Sequence, residues 1–132
     1  MSIAKCHVLV VEDDDDIRET MADLLEQVGY DVDEARDGGR ALERLRESAG
    51  GMVVLLDLNM PGMDGRHLLR IVANDEHLST RHAFIIVTAS QKTFPLDFAT
   101  LLSDLRVPIL TKPFDIDQLL ERVRQAEQRL AQ

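Results

Sequence analysis

The chain has 132 residues, with 15 Lys and Arg against 24 Asp and Glu, a formal net charge of -9 and a pI near 4.8. That length suits one domain over residues 1–132. Its 45% hydrophobic and 30% charged residues supply a core and exclude a disordered or collagen-like chain. The acidic balance argues against a nucleic-acid binder, whose affinity rests on clustered Lys and Arg, and favours multivalent cations as partners. Cys6 is the only cysteine, which excludes an intrachain disulfide or zinc knuckle and reads as a free, buried thiol in a reducing compartment. The longest apolar stretches, 52–56 and 83–87, are five residues each, far short of the roughly 20 a membrane helix needs. The four-residue apolar run at 8–11 ends in five acids, unlike a signal-peptide core. The expected location is the cytoplasm, away from any membrane.

Strand and helix signals alternate along the chain. The run VLVV at 8–11 suits a strand buried on both faces. Ile17, Met21, Leu24, Leu25 and Val28 then share one helical face, opened by Asp residues that complement the positive helix end and stopped by Gly29. The polar run DVDEA at 31–35 reads as an edge strand. A second helix over about 39–47 turns Leu42 and Leu45 inward and ends before Gly50 and Gly51. MVVLLD at 52–57 is the clearest central strand, and the turn-rich loop NMPGMDG, with Asp64 as a plausible N-cap, leads to a short helix carrying Leu68, Leu69 and Val72. AFIIVT at 83–88 and VPILT at 107–111 give the last two strands, with a fourth helix in the segment between them, which Pro95 interrupts. A final helix opened by Asp115 places Ile116, Leu119, Leu120, Val123 and Leu130 inward.

Five strands alternating with five helices predict an α/β, doubly wound parallel sheet with right-handed crossovers. In the flavodoxin-like order 2-1-3-4-5, ligands sit at the carboxyl ends of the strands near the switch point between strands one and three. Glu12 and Asp13 follow strand one, Asp57 closes strand three, Thr88 closes strand four and Lys112 follows strand five. Three converging carboxylates repel one another unless a cation lies among them, and a hard divalent ion such as Mg²⁺ answers that repulsion while keeping positions open for phosphoryl oxygens. Asp57 is then the natural nucleophile toward phosphorus, Lys112 a counter-charge and Thr88 a hydroxyl donor.

The strings VLVVEDD, LLDLNMPGMDG, IIVTAS and LTKPF, in this order and spacing, resemble the receiver domains of two-component response regulators, of the single-domain chemotaxis-regulator type, across nearly the whole chain. That resemblance implies that Asp57 accepts a phosphoryl group and that Glu12 and Asp13 are the acidic pair for Mg²⁺, with the backbone carbonyl of Asn59 as a further contact. It implies that Thr88 is the switch hydroxyl and Lys112 the phosphoryl-binding lysine. The donor would be a phosphohistidine on a sensor histidine kinase or phosphotransfer protein. A downstream protein would be met by the face of the fourth helix, fifth strand and fifth helix. Such a domain catalyses only its own phosphorylation and dephosphorylation. The chain departs from the family at Ile109, where Tyr or Phe is usual, and in the turn before strand five, where Asp104, Leu105 and Arg106 replace small residues and glycine.

Plainer readings weigh against single residues. A run of acids before a helix is ordinarily a solvated helix start, and Asp14, Asp15 and Asp16 are read so; for Glu12 and Asp13 the joint presence of Asp57, Thr88 and Lys112 favours metal binding. His7, His67, His77 and His82 share no ligand spacing and read as surface or strand-end residues. Two other readings stand beside the receiver. One is a Mg²⁺-dependent phosphohydrolase with an aspartyl nucleophile, although Asn59 occupies the place two residues on where such enzymes want a second acid. The other is a pseudo-receiver that binds partners without phosphorylation.

Overall fold

Short runs of Val, Leu and Ile, too short to span a helix of useful length, pair instead as parallel strands and bury both faces. The computed structural model describes residues 6–60, 62–89 and 94–130; Pro61 and the stretch 90–93 lie outside the described residues. In chain order the elements are β1 (His7–Val11), α1 (Asp15–Gln27), β2 (Asp31–Ala35), α2 (Gly38–Glu47), β3 (Met52–Leu56), α3 (Gly65–Ala73), α4 (Glu76–Arg81), β4 (Ala83–Thr88), α5 (Leu96–Asp104), β5 (Ile109–Thr111) and α6 (Ile116–Leu130). The sheet order is β2-β1-β3-β4-β5, all parallel, as expected from the sequence.

Alternation along the strands divides the core in two. Leu9, Val11, Val54, Leu56, Phe84 and Ile86 meet the face covered by α2 through α5, while Val8, Val10, Val53, Leu55, Ile85 and Val87 meet α1 and α6. Register then sets the site. His7 pairs with Met52 and Val11 with Leu56, so Glu12 and Asp57 leave the sheet side by side; Thr88 pairs with Thr111, so Lys112 follows immediately beside it.

Part of the acidic excess is structural. Asp14, Asp37, Asp64 and Asp75 each cap a helix by accepting from the amide three residues on, at 3.0, 2.8, 3.0 and 3.3 Å. Asp115 and Gln118 form a reciprocal capping box at the start of α6, at 2.8 and 3.1 Å. Each such cap contributes about 1 kcal/mol.

The structure corrects several expectations. The helices number six among the described residues; α4 has six residues and one buried side chain, Leu78, so it is too short to leave a periodic signal. The inner face of α1 is made by Arg18, Met21, Ala22 and Leu25, while Ile17 and Val28 stay 38% and 37% exposed. The helix is rotated so that the long Arg18 reaches across the loop. Strand five begins at Ile109, because Pro108 has no amide to donate to a ladder, although its carbonyl accepts from Ile86 at 2.9 Å. Asp57 stands just past the end of β3. Ile116 is largely exposed and Ala126 takes the inner position. Cys6 is half-buried, and burial with Glu127 beside it pushes its thiol up to about 12. His82 is a strand-end residue, just before β4, and is buried at 4% exposure. Pro95 does not interrupt α5 but occupies its N-cap.

Candidate functional site

At the carboxyl end of the sheet, Glu12 and Asp57 are pinned by the ladder itself. The Glu12 amide donates to Ala35 O and the Asp57 amide to Val11 O, each at 3.1 Å. Both side chains are buried and Asp13 is exposed at the rim. The carboxylate oxygens of Glu12, Asp13 and Asp57 lie within 4.8 Å of one another. Partial desolvation, then the hydrogen bond and charge of Glu12, raise the Asp13 pKa above the usual carboxylate value. Mutual repulsion of this kind is what a cation relieves.

The donor set fits Mg²⁺. All three ligands are hard carboxylate oxygens, and two octahedral ligands at about 2.1 Å from the ion stand about 3 to 4.2 Å apart.

Lys112 closes the pocket from the β5 side. Its backbone amide donates to Thr88 O at 2.8 Å, and its Nζ donates to Glu12 Oε1 at 2.9 Å. Thr88 ends β4 at 1% exposure. The Asn59 amide donates to Asp57 Oδ1 at 3.2 Å, which turns the loop back over the carboxylate. The structure therefore gathers Glu12, Asp13, Asp57, Asn59, Thr88 and Lys112 at one end of the sheet.

Two contributors go beyond what the sequence indicated, one a residue it did not single out and the other a glycine it marked only as a loop former. Arg18, 8% exposed, donates from Nη1 to Glu12 O at 3.0 Å, from Nε to Glu34 at 3.1 Å and from Nη2 to Asp15 at 2.6 Å. It ties the acidic turn to α1 and β2. Burial works against its charge, but Asp15 and Glu34 more than offset this and raise its pKa. Periodicity placed an Arg at this position on the polar face, and only its partners reveal the role. Gly65 is the second: a Cβ there would stand 2.5 Å from Asp57 O and 3.0 Å from Leu58 Cα. Helix α3 can approach the end of β3 this closely only without a side chain. On the far side, Ile109 stays 38% exposed, while the aromatic pair nearest this connection is Phe94 against Phe98, edge to face at 5.2 Å.

A parallel sheet with an acidic trio, a lysine and a buried strand-end threonine at its carboxyl edge defines a signalling domain of the receiver class. The response regulator receiver domain model matches residues 8–124, and the chain belongs to that family. It is 37% identical over 118 residues to the CAI-1 autoinducer sensor kinase/phosphatase CqsS of Vibrio cholerae, covering 88% of this chain and 16% of that protein. It spans about half the length of other curated relatives, such as the transcriptional regulatory protein YkoG of Bacillus subtilis, 51% of which is covered. Among solved structures, a CheY-like receiver domain protein from Methanospirillum hungatei superposes with a TM-score of 0.79 at 28% identity, covering 96% of this chain and 98% of that one. The response regulator TrrA of Thermotoga maritima, in complex with Mg²⁺ and BeF, gives 0.73 at 27% identity, covering 91% and 97%. The chain is a receiver domain of two-component signal transduction. No helix among the described residues is long and apolar enough to cross a membrane.

Proposed function

We propose that this chain acts as a single receiver over residues 1–132, in the cytoplasm, and takes a phosphoryl group from the phosphohistidine of a sensor histidine kinase or phosphotransfer protein onto Asp57. A carboxylate oxygen of Asp57 attacks phosphorus, the P–N bond to the donor imidazole breaks, and the histidine leaves with the electron pair. Glu12, Asp13, Asp57 and the carbonyl of Asn59 hold Mg²⁺, which when bound neutralises charge on the phosphoryl oxygens. Lys112 then exchanges Glu12 for a phosphoryl oxygen, and the Thr88 hydroxyl donates to another. Hydrolysis of the acyl phosphate by water resets the domain, so the chain catalyses only its own two reactions.

The observation that carries this reading is the convergence of the buried Asp57 carboxylate with Glu12, Asp13 and Lys112 on one strand end. The similar TrrA structure, with Mg²⁺ and BeF, supports the same chemistry. The added charge of roughly -1.5 to -2 draws the buried Thr88 hydroxyl toward the phosphoryl group and alters the face of α5, β5 and α6, through which a downstream protein is met. Because Ile109 has no ring to swing and a β-branched side chain has few χ1 options, an aromatic swing takes no part in the change.

Intact-mass measurement after incubation with acetyl phosphate and Mg²⁺ tests this. One phosphoryl group is expected, absent from Asp57→Asn and from samples in excess chelator. Acid-stable phosphate, or unchanged labelling of Asp57→Asn, would refute it.

A further inference from the structure

At the β5 edge of the sheet, helices α5 and α6 enclose a groove of about 420 Å³ with Arg106, Arg122 and Arg129 on its walls. Its floor is apolar, made by the buried Leu102, Val107 and Ala126. In a chain of net charge -9, none of the side chains lining this groove is a carboxylate. A second groove of about 450 Å³, between α1 and α2, shows the contrast: its four arginines face four glutamates and compensate internally.

Two acids of α6 beside the groove are engaged elsewhere, and Asp104, next to Ser103, is exposed and does not line it. Glu121 accepts from Arg124 at 3.0 Å, and Glu127 accepts from the Cys6 amide at 2.7 Å. Arg122 Nε is buried with no hydrogen-bond partner among the described residues, and a buried unpaired donor is costly unless a ligand satisfies it.

Arg106 adds an independent observation. The α5 C-terminus is a Schellman turn, with Val107 N donating to Leu102 O at 2.9 Å and Arg106 N to Ser103 O at 3.1 Å. Arg106 holds its left-handed position, with φ +56°. Glycine is the usual occupant there because it has no Cβ to strain. The Arg106 side chain lines the groove, and its carbonyl accepts from Arg129 Nη1 at 2.7 Å.

The spacing of the cations selects the ligand. Arg122 and Arg129 are two helical turns apart, about 10 Å along the α6 axis, with the apolar floor between them. An extended peptide of about three residues spans that distance. A nucleic acid or an anionic lipid surface would be repelled by the rest of the acidic chain. A short peptide avoids that field and meets each feature in turn.

We propose that this groove binds a short segment of a partner protein in which acidic side chains flank apolar ones. The inference names a partner chemistry for the α5–β5–α6 face proposed above, but it rests on the groove alone and requires no phosphoryl group on Asp57.

The test uses the full, unphosphorylated chain labelled with ¹⁵N and the blocked peptide GEELLEEG as probe. Saturable amide shifts are expected at 102–108 and 122–129. Arg122→Glu and Arg129→Glu should each weaken binding by at least about tenfold, and the double reversal should instead bind GKKLLKKG. Far-ultraviolet circular dichroism checks that each variant is folded, and Arg122→Gln gives a milder variant with the same expected direction. Absence of saturation, shifts mapping elsewhere, equal binding of GQQLLQQG, or displacement by inorganic phosphate at the peptide's own concentration would each overturn the proposal. Labelling of Asp57 by acetyl phosphate is measured separately, so failure of the groove and failure of the receiver chemistry give different results.

Discussion

Lys112 Nζ donates to Glu12 Oε1 at 2.9 Å across the mouth of the pocket that also holds Asp57. The lysine therefore rests on a candidate metal ligand, and a divalent ion and Lys112 compete for the same carboxylate. Lys112→Ala removes the competitor and the phosphoryl counter-charge together. Mg²⁺ affinity, measured by titration calorimetry, is expected to hold or tighten. The rate of labelling by acetyl phosphate should fall about tenfold or more, as when an oxyanion donor is removed. Loss of Mg²⁺ affinity in this variant would show that the lysine organises the acids instead.

Arg18 is expected to matter through the turn it holds. Arg18→Met keeps the buried stem and removes the bonds to Glu12 O, Glu34 and Asp15. Because Glu34 and Asp15 are partly or largely solvated, the loss is about 1–3 kcal/mol, dominated by the unpaired Glu12 carbonyl. Urea denaturation reads that loss. Mg²⁺ affinity should drop as well, and a variant destabilised with unchanged Mg²⁺ binding would confine Arg18 to stability.

Gly65→Ala and Gly39→Ala make a matched pair. The Cβ at 65 meets backbone, Asp57 O at 2.5 Å, whereas at 39 the nearest atom is Asp37 Oδ1 at 3.4 Å. The first should cost about 1–3 kcal/mol by overpacking and slow labelling by displacing the end of β3. The second sits in a helix, where alanine is favoured by up to about 1 kcal/mol. Thermal melts of both variants that shift equally would contradict the packing argument.

Stability should fall in mild acid through His82. Its Nδ1 accepts from the Met52 amide at 3.0 Å, which holds the ring neutral, and burial, with Arg81 and His77 nearby, lowers its pKa below 6.5. Above pH 6.5 both folded and unfolded forms are neutral and the group contributes no pH dependence. As pH falls below 6.5 the unfolded chain binds a proton that the folded chain refuses, so stability declines until the folded pKa is reached. Denaturation midpoints of the wild type and His82→Gln between pH 5 and 7 check this; identical pH slopes would exclude His82 as the source.

Much of the site was legible in one dimension because strand-end chemistry is local. A buried run ending in Glu12 or Asp57, or in Thr88, announces both the strand and the residue that leaves it, and the parallel alternation brings those ends together. The same logic missed α4, whose six residues complete too few turns to show a period, and it set the inner face of α1 one residue off, at Ile17 instead of Arg18.

The amino-acid sequence by itself determined the parallel doubly wound sheet and put Glu12, Asp13, Asp57, Thr88 and Lys112 at its carboxyl edge, since hydrophobic period and strand-end position depend only on neighbours along the chain; Asn59 was named by resemblance to the family. Tertiary structure alone decided that Lys112 lies on Glu12, that Arg18 clamps the acidic turn and that Gly65 admits α3 to the back of Asp57. It also decided that Arg122 and Arg129 of α6 share with Arg106, in the turn after α5, one groove lined by no acid. These are contacts between segments distant in sequence, and their energies depend on distances, burial and unpaired donors that exist only once the sheet has set its register and the helices have packed onto it.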